Sequence, residues 1–114
     1  MATNPSFMNG VPELLVLRLL RGREMYGYEI VQAIREETGD VVSLGEGVVY
    51  PVLHALEKSG AITAERRPAN GRSRIYYALS PAGVSRLSEI SALWSRVTGA
   101  VQQVLVGGSR AGLV

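Results

Sequence analysis

The sequence holds no cysteine and a single histidine among its 114 residues. Without thiols there is no disulfide framework, no zinc ribbon and no cysteine nucleophile, and a reducing cytoplasm is the expected setting. A lone His54 with no second His or Cys completes no metal site, so no metal and no other cofactor is expected. Long apolar runs are missing too, and no membrane span is expected. Met1 to Asn9 lacks the basic start and apolar core of a secretory leader. There is no glycine-rich phosphate loop after a strand-like run, and no carboxylate pair with a plausible cleft, so an enzyme is not expected. Charge of one sign is also scarce. The net charge is +2, from 12 Lys and Arg against 10 Asp and Glu, which is too small to name a partner.

What is present suits one globular domain: 46% hydrophobic and 19% charged residues argue against disorder. A domain of this size buries about two-thirds of its unfolded surface, so apolar burial between two copies would stabilise it. Charge is uneven along the chain. From Lys58 to Arg74 there are five basic residues (Lys58, Arg66, Arg67, Arg72, Arg74) and one acidic residue, Glu65. From Glu24 to Glu46 there are six carboxylates against Arg35. A basic cluster alone is often no more than a solvated face.

The periodicity predicts three helices, a hairpin and a fourth, long helix. The first runs from Val11 to Arg21, with Asn9 as cap and Pro12 in its first turn. Its leucines leave so narrow a polar stripe that it must be buried against more than one neighbour. The second runs from Tyr26 to Thr38 and stops at Gly39, with Tyr26, Ile30, Ala33 and Ile34 on one face. The third runs from Gly47 to Ser59 and stops at Gly60, its inner stripe being Val49, Val52, Leu53 and Leu56. Strand-like runs over Ile62–Arg67 and Arg74–Leu79 then flank Pro68-Ala69-Asn70-Gly71-Arg72, where Asn-Gly signals a hairpin. Ser80-Pro81 reads as an N-cap and first helical residue of a helix reaching Val106. The expected organisation is a flexible arm (1–10), a winged helix-turn-helix (11–80), a dimerisation helix (81–106) and a flexible tail (107–114). The fold class is mainly α with a β-hairpin wing, an α+β arrangement.

A third helix that reads DNA needs an exposed face. Gly47, Tyr50, Pro51, His54 and Lys58 form one stripe opposite Val49, Leu53 and Leu56. Tyr50 offers a hydroxyl to a phosphate, His54 a group for a base edge, and Lys58 a phosphate contact. Any amphipathic helix has such a face, and Tyr50 could also be a half-buried aromatic packed on the second helix. The hairpin supplies a second contact: Asn70, Gly71 and Arg72 at its tip suit a minor groove, and Arg66, Arg67 and Arg74 would flank phosphates. Solubility and edge protection are the plainer reading of those arginines.

Four segments carry a resemblance that covers Val11 to Val106. They are Tyr26-Gly27-Tyr28-Glu29-Ile30, then Glu46-Gly47-Val48-Val49-Tyr50-Pro51-Val52-Leu53, then Leu56-Glu57-Lys58-Ser59-Gly60-Ala61-Ile62, and finally Arg74 to Gly83 (Arg74-Ile75-Tyr76-Tyr77-Ala78-Leu79-Ser80-Pro81-Ala82-Gly83). None is specific alone, but together, in order, they resemble the PadR family of transcriptional regulators. The resemblance implies a winged helix, a homodimer, a palindromic double-stranded DNA operator and repression of nearby genes. The sequence departs from the family at Val48, where a hydroxyl residue is common, and at His54 and Ala55, where basic residues are common. The third helix is thus poor in phosphate partners, and the wing arginines gain weight.

The last helix repeats Leu87, Ile90, Trp94, Val97, Val101 and Val104 at spacings of three and four, a seam suited to self-pairing. Trp94, the only tryptophan, reads first as a packing residue of that seam. The resemblance implies a second role, since small members of the family include multidrug sensors with a tryptophan lining a cavity between subunits. A planar aromatic or hydrophobic effector would then stack on Trp94, with Leu15, Leu19, Ile90, Leu93 and Val97 as walls. No carboxylate follows Glu89, which argues against a preference for cations. The alternative function is a winged-helix module that docks another protein and binds neither DNA nor ligand.

Overall fold

The computed structural model describes residues 10–107. The expected arm and tail fall almost wholly outside them, as does the expected cap Asn9. At the start of the first helix it is Gly10, at φ +88°, that occupies the cap position, and Pro12 stands in the first turn.

In chain order the elements are α1 (Val11–Gly22), β1 (Met25–Tyr26), α2 (Gly27–Glu37), α3 (Glu46–Ser59), β2 (Ile62–Ala69), β3 (Arg72–Leu79) and α4 (Pro81–Leu105). Helix α1 touches α2, α3, α4 and β3, as its nearly all-round apolar surface requires. Val16, Leu17, Ile30, Ile34, Val49, Leu53 and Ile62 are the most deeply buried side chains, so the three short helices and the base of the hairpin share one core.

The turn between α2 and α3 is fixed by Thr38. Its hydroxyl donates to the Ile34 carbonyl at 2.7 Å and accepts from the Val42 amide at 3.0 Å, while Gly39 and Asp40 take positive φ. The sheet has the order β1-β3-β2, all antiparallel. Two features correct the sequence expectation here. Tyr26 does not begin α2; with Met25 it forms a third strand pairing with Tyr76 and Tyr77. The hairpin strands also extend further, since Ala69 pairs with Arg72 and only Asn70 and Gly71 turn. Their φ values of +50° and +80° define the tight two-residue turn that matches strand twist.

Helix α4 is anchored at its start. The Ser80 hydroxyl accepts from the Gly83 amide at 3.0 Å and donates to the Gly60 carbonyl at 2.6 Å, and the Ser80 amide donates to the Ala61 carbonyl. A Cβ on Gly83 would collide with that same Ala61 carbonyl oxygen, so only glycine lets α4 sit this close. From this joint α4 runs about 37 Å at 1.5 Å per residue.

Candidate nucleic-acid interface

Helix α3 buries Val49, Leu53 and Leu56 and leaves Gly47, Pro51, His54 and Lys58 exposed, as the stripe predicts. Tyr50 is different. It is half-buried, and its ring lies over Gly27 at the start of α2, where a Cβ would sit 2.6 Å from Tyr50 Cζ. Burial, with Glu46 nearby, raises the pKa of its phenol. Of the two sequence readings for Tyr50, packing on the second helix is the one its position satisfies, although the hydroxyl still borders a notch of about 270 Å³ beside Arg66 and Ser73 of the wing.

The exposed face of α3 also includes Val48 and Ala55, so Val48, Pro51, Ala55 and Lys58 continue the stripe at spacings of three and four. Val48, which the sequence marks only as a departure from the family, is exposed, and a methyl-bearing side chain on such a face suits a thymine methyl group. Tyr28 is exposed near the N-terminus of α2, with its hydroxyl accepting from Gln32 at 2.9 Å.

The wing arginines divide sharply. Arg72 at the tip is exposed and, among the described residues, has no carboxylate partner, and neither do Arg66 and Arg74. Arg66 donates to the Ser73 hydroxyl at 3.1 Å. Arg74 stacks over Tyr26, its guanidinium carbon 4.2 Å from the ring centre. Arg67 is held by two carboxylates, donating to Glu24 Oε2 at 3.1 Å and to Glu65 Oε1 at 3.0 Å. Those hydrogen bonds raise the pKa of Arg67 and lower that of Glu24.

The long helix carries the other predicted site. Leu87 is only 7% exposed and belongs to the core of this chain, which removes it from the expected seam. Ile90 packs partly against that core. Beyond it the apolar positions lie open, with Trp94 46%, Val97 49%, Val101 50% and Val104 79% exposed. A groove of about 330 Å³ beside Trp94 is walled by Ile90, Leu93 and Val97 from α4. From α1 the wall is Leu14; Leu15 and Leu19 do not line it and pack against the core instead. Glu13 also reaches this groove, so a carboxylate is present after all, but Arg86 neutralises it through hydrogen bonds of 2.8 and 3.3 Å. Among the described residues, no helix is long and apolar enough to cross a membrane.

Three short helices, a basic hairpin and a long trailing helix define a winged helix-turn-helix protein. The profile of the transcriptional regulator PadR-like family matches residues 16–89. A transcriptional regulator of Mycobacterium tuberculosis is 34% identical over 83 residues, which are 73% of this chain and 75% of that protein. A transcriptional regulator from Clostridium thermocellum has a similar solved structure, with a TM-score of 0.80 at 26% identity over 86% of this chain and 96% of that one. Bacillus subtilis PadR, solved in complex with operator DNA, gives a TM-score of 0.64 at 30% identity over 70% of this chain and 45% of that one. The chain belongs to the PadR-like family of transcriptional regulators. It is therefore a regulator and not an enzyme.

Proposed function

We propose that this regulator is a cytoplasmic repressor that binds a palindromic double-stranded DNA operator as a homodimer, and that a planar aromatic or hydrophobic effector beside Trp94 releases it. The observation that carries the DNA reading is the exposed stripe of α3 on a helix whose half-buried Tyr50 borders the same notch as Arg66 and Ser73 of the wing, in a fold shared with a regulator solved on operator DNA. In this reading α3 enters a major groove, with Gly47, Val48 and Pro51 close to the bases, His54 at a base edge and Lys58 at a phosphate. Asn70, Gly71 and Arg72 enter the adjacent minor groove, and Arg66 meets the backbone. The open apolar half of α4 supports the homodimer, because the described residues of one chain leave it uncovered. A two-fold axis through α4 would set two recognition helices roughly 34 Å apart, one turn of DNA. The groove at Trp94 supports the effector, which acts only insofar as it favours a dimer whose two α3 helices no longer match the operator.

The test is retardation of the DNA upstream of the protein's own gene, measured across salt concentrations. Lys58→Ala and Arg72→Ala should each weaken binding and flatten its salt dependence by about one ion per contact. Retardation unaffected by both changes would sink this docking. Planar dyes should quench Trp94 fluorescence, and quenching retained at the remaining aromatic residues in Trp94→Ala would rule the groove out.

A further inference from the structure

Resting on the DNA-binding reading above, we propose that Glu24 and Arg67 are positioning residues, which hold the wing at the angle from which Arg72 reaches the duplex. Arg67 sits among the wing's basic residues, but its surroundings set it apart from Arg66 and Arg72. Two carboxylates, Glu24 and Glu65, bind its guanidinium, so this point of the wing presents no net positive charge to a phosphate.

What Arg67 does instead follows from the sheet. Strand β1 pairs only with Tyr76 and Tyr77, so it supports only the base of the hairpin. From the pair Arg66 with Ile75 out to Ala69 with Arg72 the wing is, among the described residues, a two-stranded ribbon without a third strand. Such a ribbon is marginal on its own and free to twist. Arg67 and Arg74 are partners one pair out from the inner end of this ribbon. Arg67 stacks over Tyr76 at 4.9 Å, Tyr76 meets Tyr26 edge-on at 5.6 Å, and Arg74 stacks over Tyr26 at 4.2 Å. The ladder crosses all three strands, and Arg67 then ties it to Glu24, which stands 43 residues earlier in the connection between α1 and β1. An isolated surface ion pair contributes little, but a forked guanidinium shared by two carboxylates and stacked on a ring has fixed geometry. The brace therefore joins the wing to the body of the domain.

The sign of a charge change tests this. Glu24→Gln removes a negative charge near the wing, so plain electrostatics expects tighter DNA binding. The brace expects binding about five-fold weaker, in the same direction as Arg67→Gln, with helix content unchanged. Glu65→Gln gives a second variant should either of the others fold poorly. The readout that a merely structural role would not move is coupling to the tip. Arg72→Ala should weaken the wild type about ten-fold but the Glu24→Gln protein by no more than about two-fold, because a loose wing has already lost that contact. Amide exchange over residues 66–74 of the free protein should also quicken about five-fold in Glu24→Gln. Tighter binding by Glu24→Gln, additive effects with Arg72→Ala, or unchanged exchange would each overturn the proposal. If the wild type retards no duplex DNA even at low salt, the DNA reading itself fails and the proposal with it.

Discussion

At the residue scale two glycines decide how closely the helices meet. Gly83 lets the first turn of α4 lie against the Ala61 carbonyl, and Gly27 lets the Tyr50 ring lie over α2. Gly83→Ala drives a methyl group into backbone that is also the acceptor for the Ser80 amide. We expect a loss of about 1–3 kcal/mol, seen as a melting temperature lower by roughly 5–15 °C. Gly27→Ala meets a side chain instead, so Tyr50 can swing away at smaller cost. That substitution should leave stability within about 1 kcal/mol while exposing the Tyr50 phenol, whose raised pKa comes first from burial. A spectrophotometric titration should then find it moved back toward the ordinary tyrosine value. Packing of Tyr50 on the second helix was one of two readings the sequence allowed, but the need for glycine at either position was not legible, because a glycine's neighbours 22 or 23 positions away leave no periodic trace. The stripe of α3 was legible, since burial of Val49, Leu53 and Leu56 follows directly from helical spacing. Tyr50 lies at the edge of that stripe, where spacing alone does not separate exposed from half-buried.

At the scale of the element, the wing shows what a pattern reveals and what it hides. Asn70-Gly71 announced the turn, and the alternation around it announced the strands. The pattern could not show β1, because two residues are too short for a period and Tyr26 also continues the helical face of α2. Nor could it show that Arg67 faces Glu24, a pairing made only when β1 docks on β3. The consequence is a dependence of wing order on pH. The carboxyl of Glu24 is held below the usual range by its hydrogen bonds to Arg67. A depressed folded-state pKa means that the brace is intact at neutral pH and is lost as pH falls through that lowered value. Ring resonances of Tyr76 followed by NMR should therefore shift below the ordinary carboxylate range. The shift should vanish in Glu24→Gln, whereas a full-sized shift in that variant would place its cause elsewhere.

At the scale of the whole molecule, α4 sets the shape, with the chain measuring 67 × 33 × 21 Å. Its N-terminal third is committed to this chain's own core through Gly83, Leu87 and Ile90, and the remainder projects with valines and Trp94 open to water. The seam read from sequence ran unbroken from Leu87, because periodicity marks an apolar face without saying which chain covers it. Burial now divides it at Ile90. Removing Trp94, Val97, Val101 and Val104 from water should stabilise the pairing by several kcal/mol at about 25 cal/mol per Å², which is the scale needed to hold two small domains together. Light scattering should accordingly give twice the 12.3 kDa chain mass. Val101→Glu places a charge at the centre of the open part of the seam, where a mate would face it across the axis. That variant should run as a monomer whose circular dichroism still shows the four helices, since Val101 touches none of the buried core. Its hold on DNA should fall by far more than a single wing substitution achieves. One half-site remains where two were bound, and the second no longer benefits from being tethered to the first. A Val101→Glu protein that stays dimeric would mean that the two copies meet through another face, and the spacing of the recognition helices would have to be derived afresh from it.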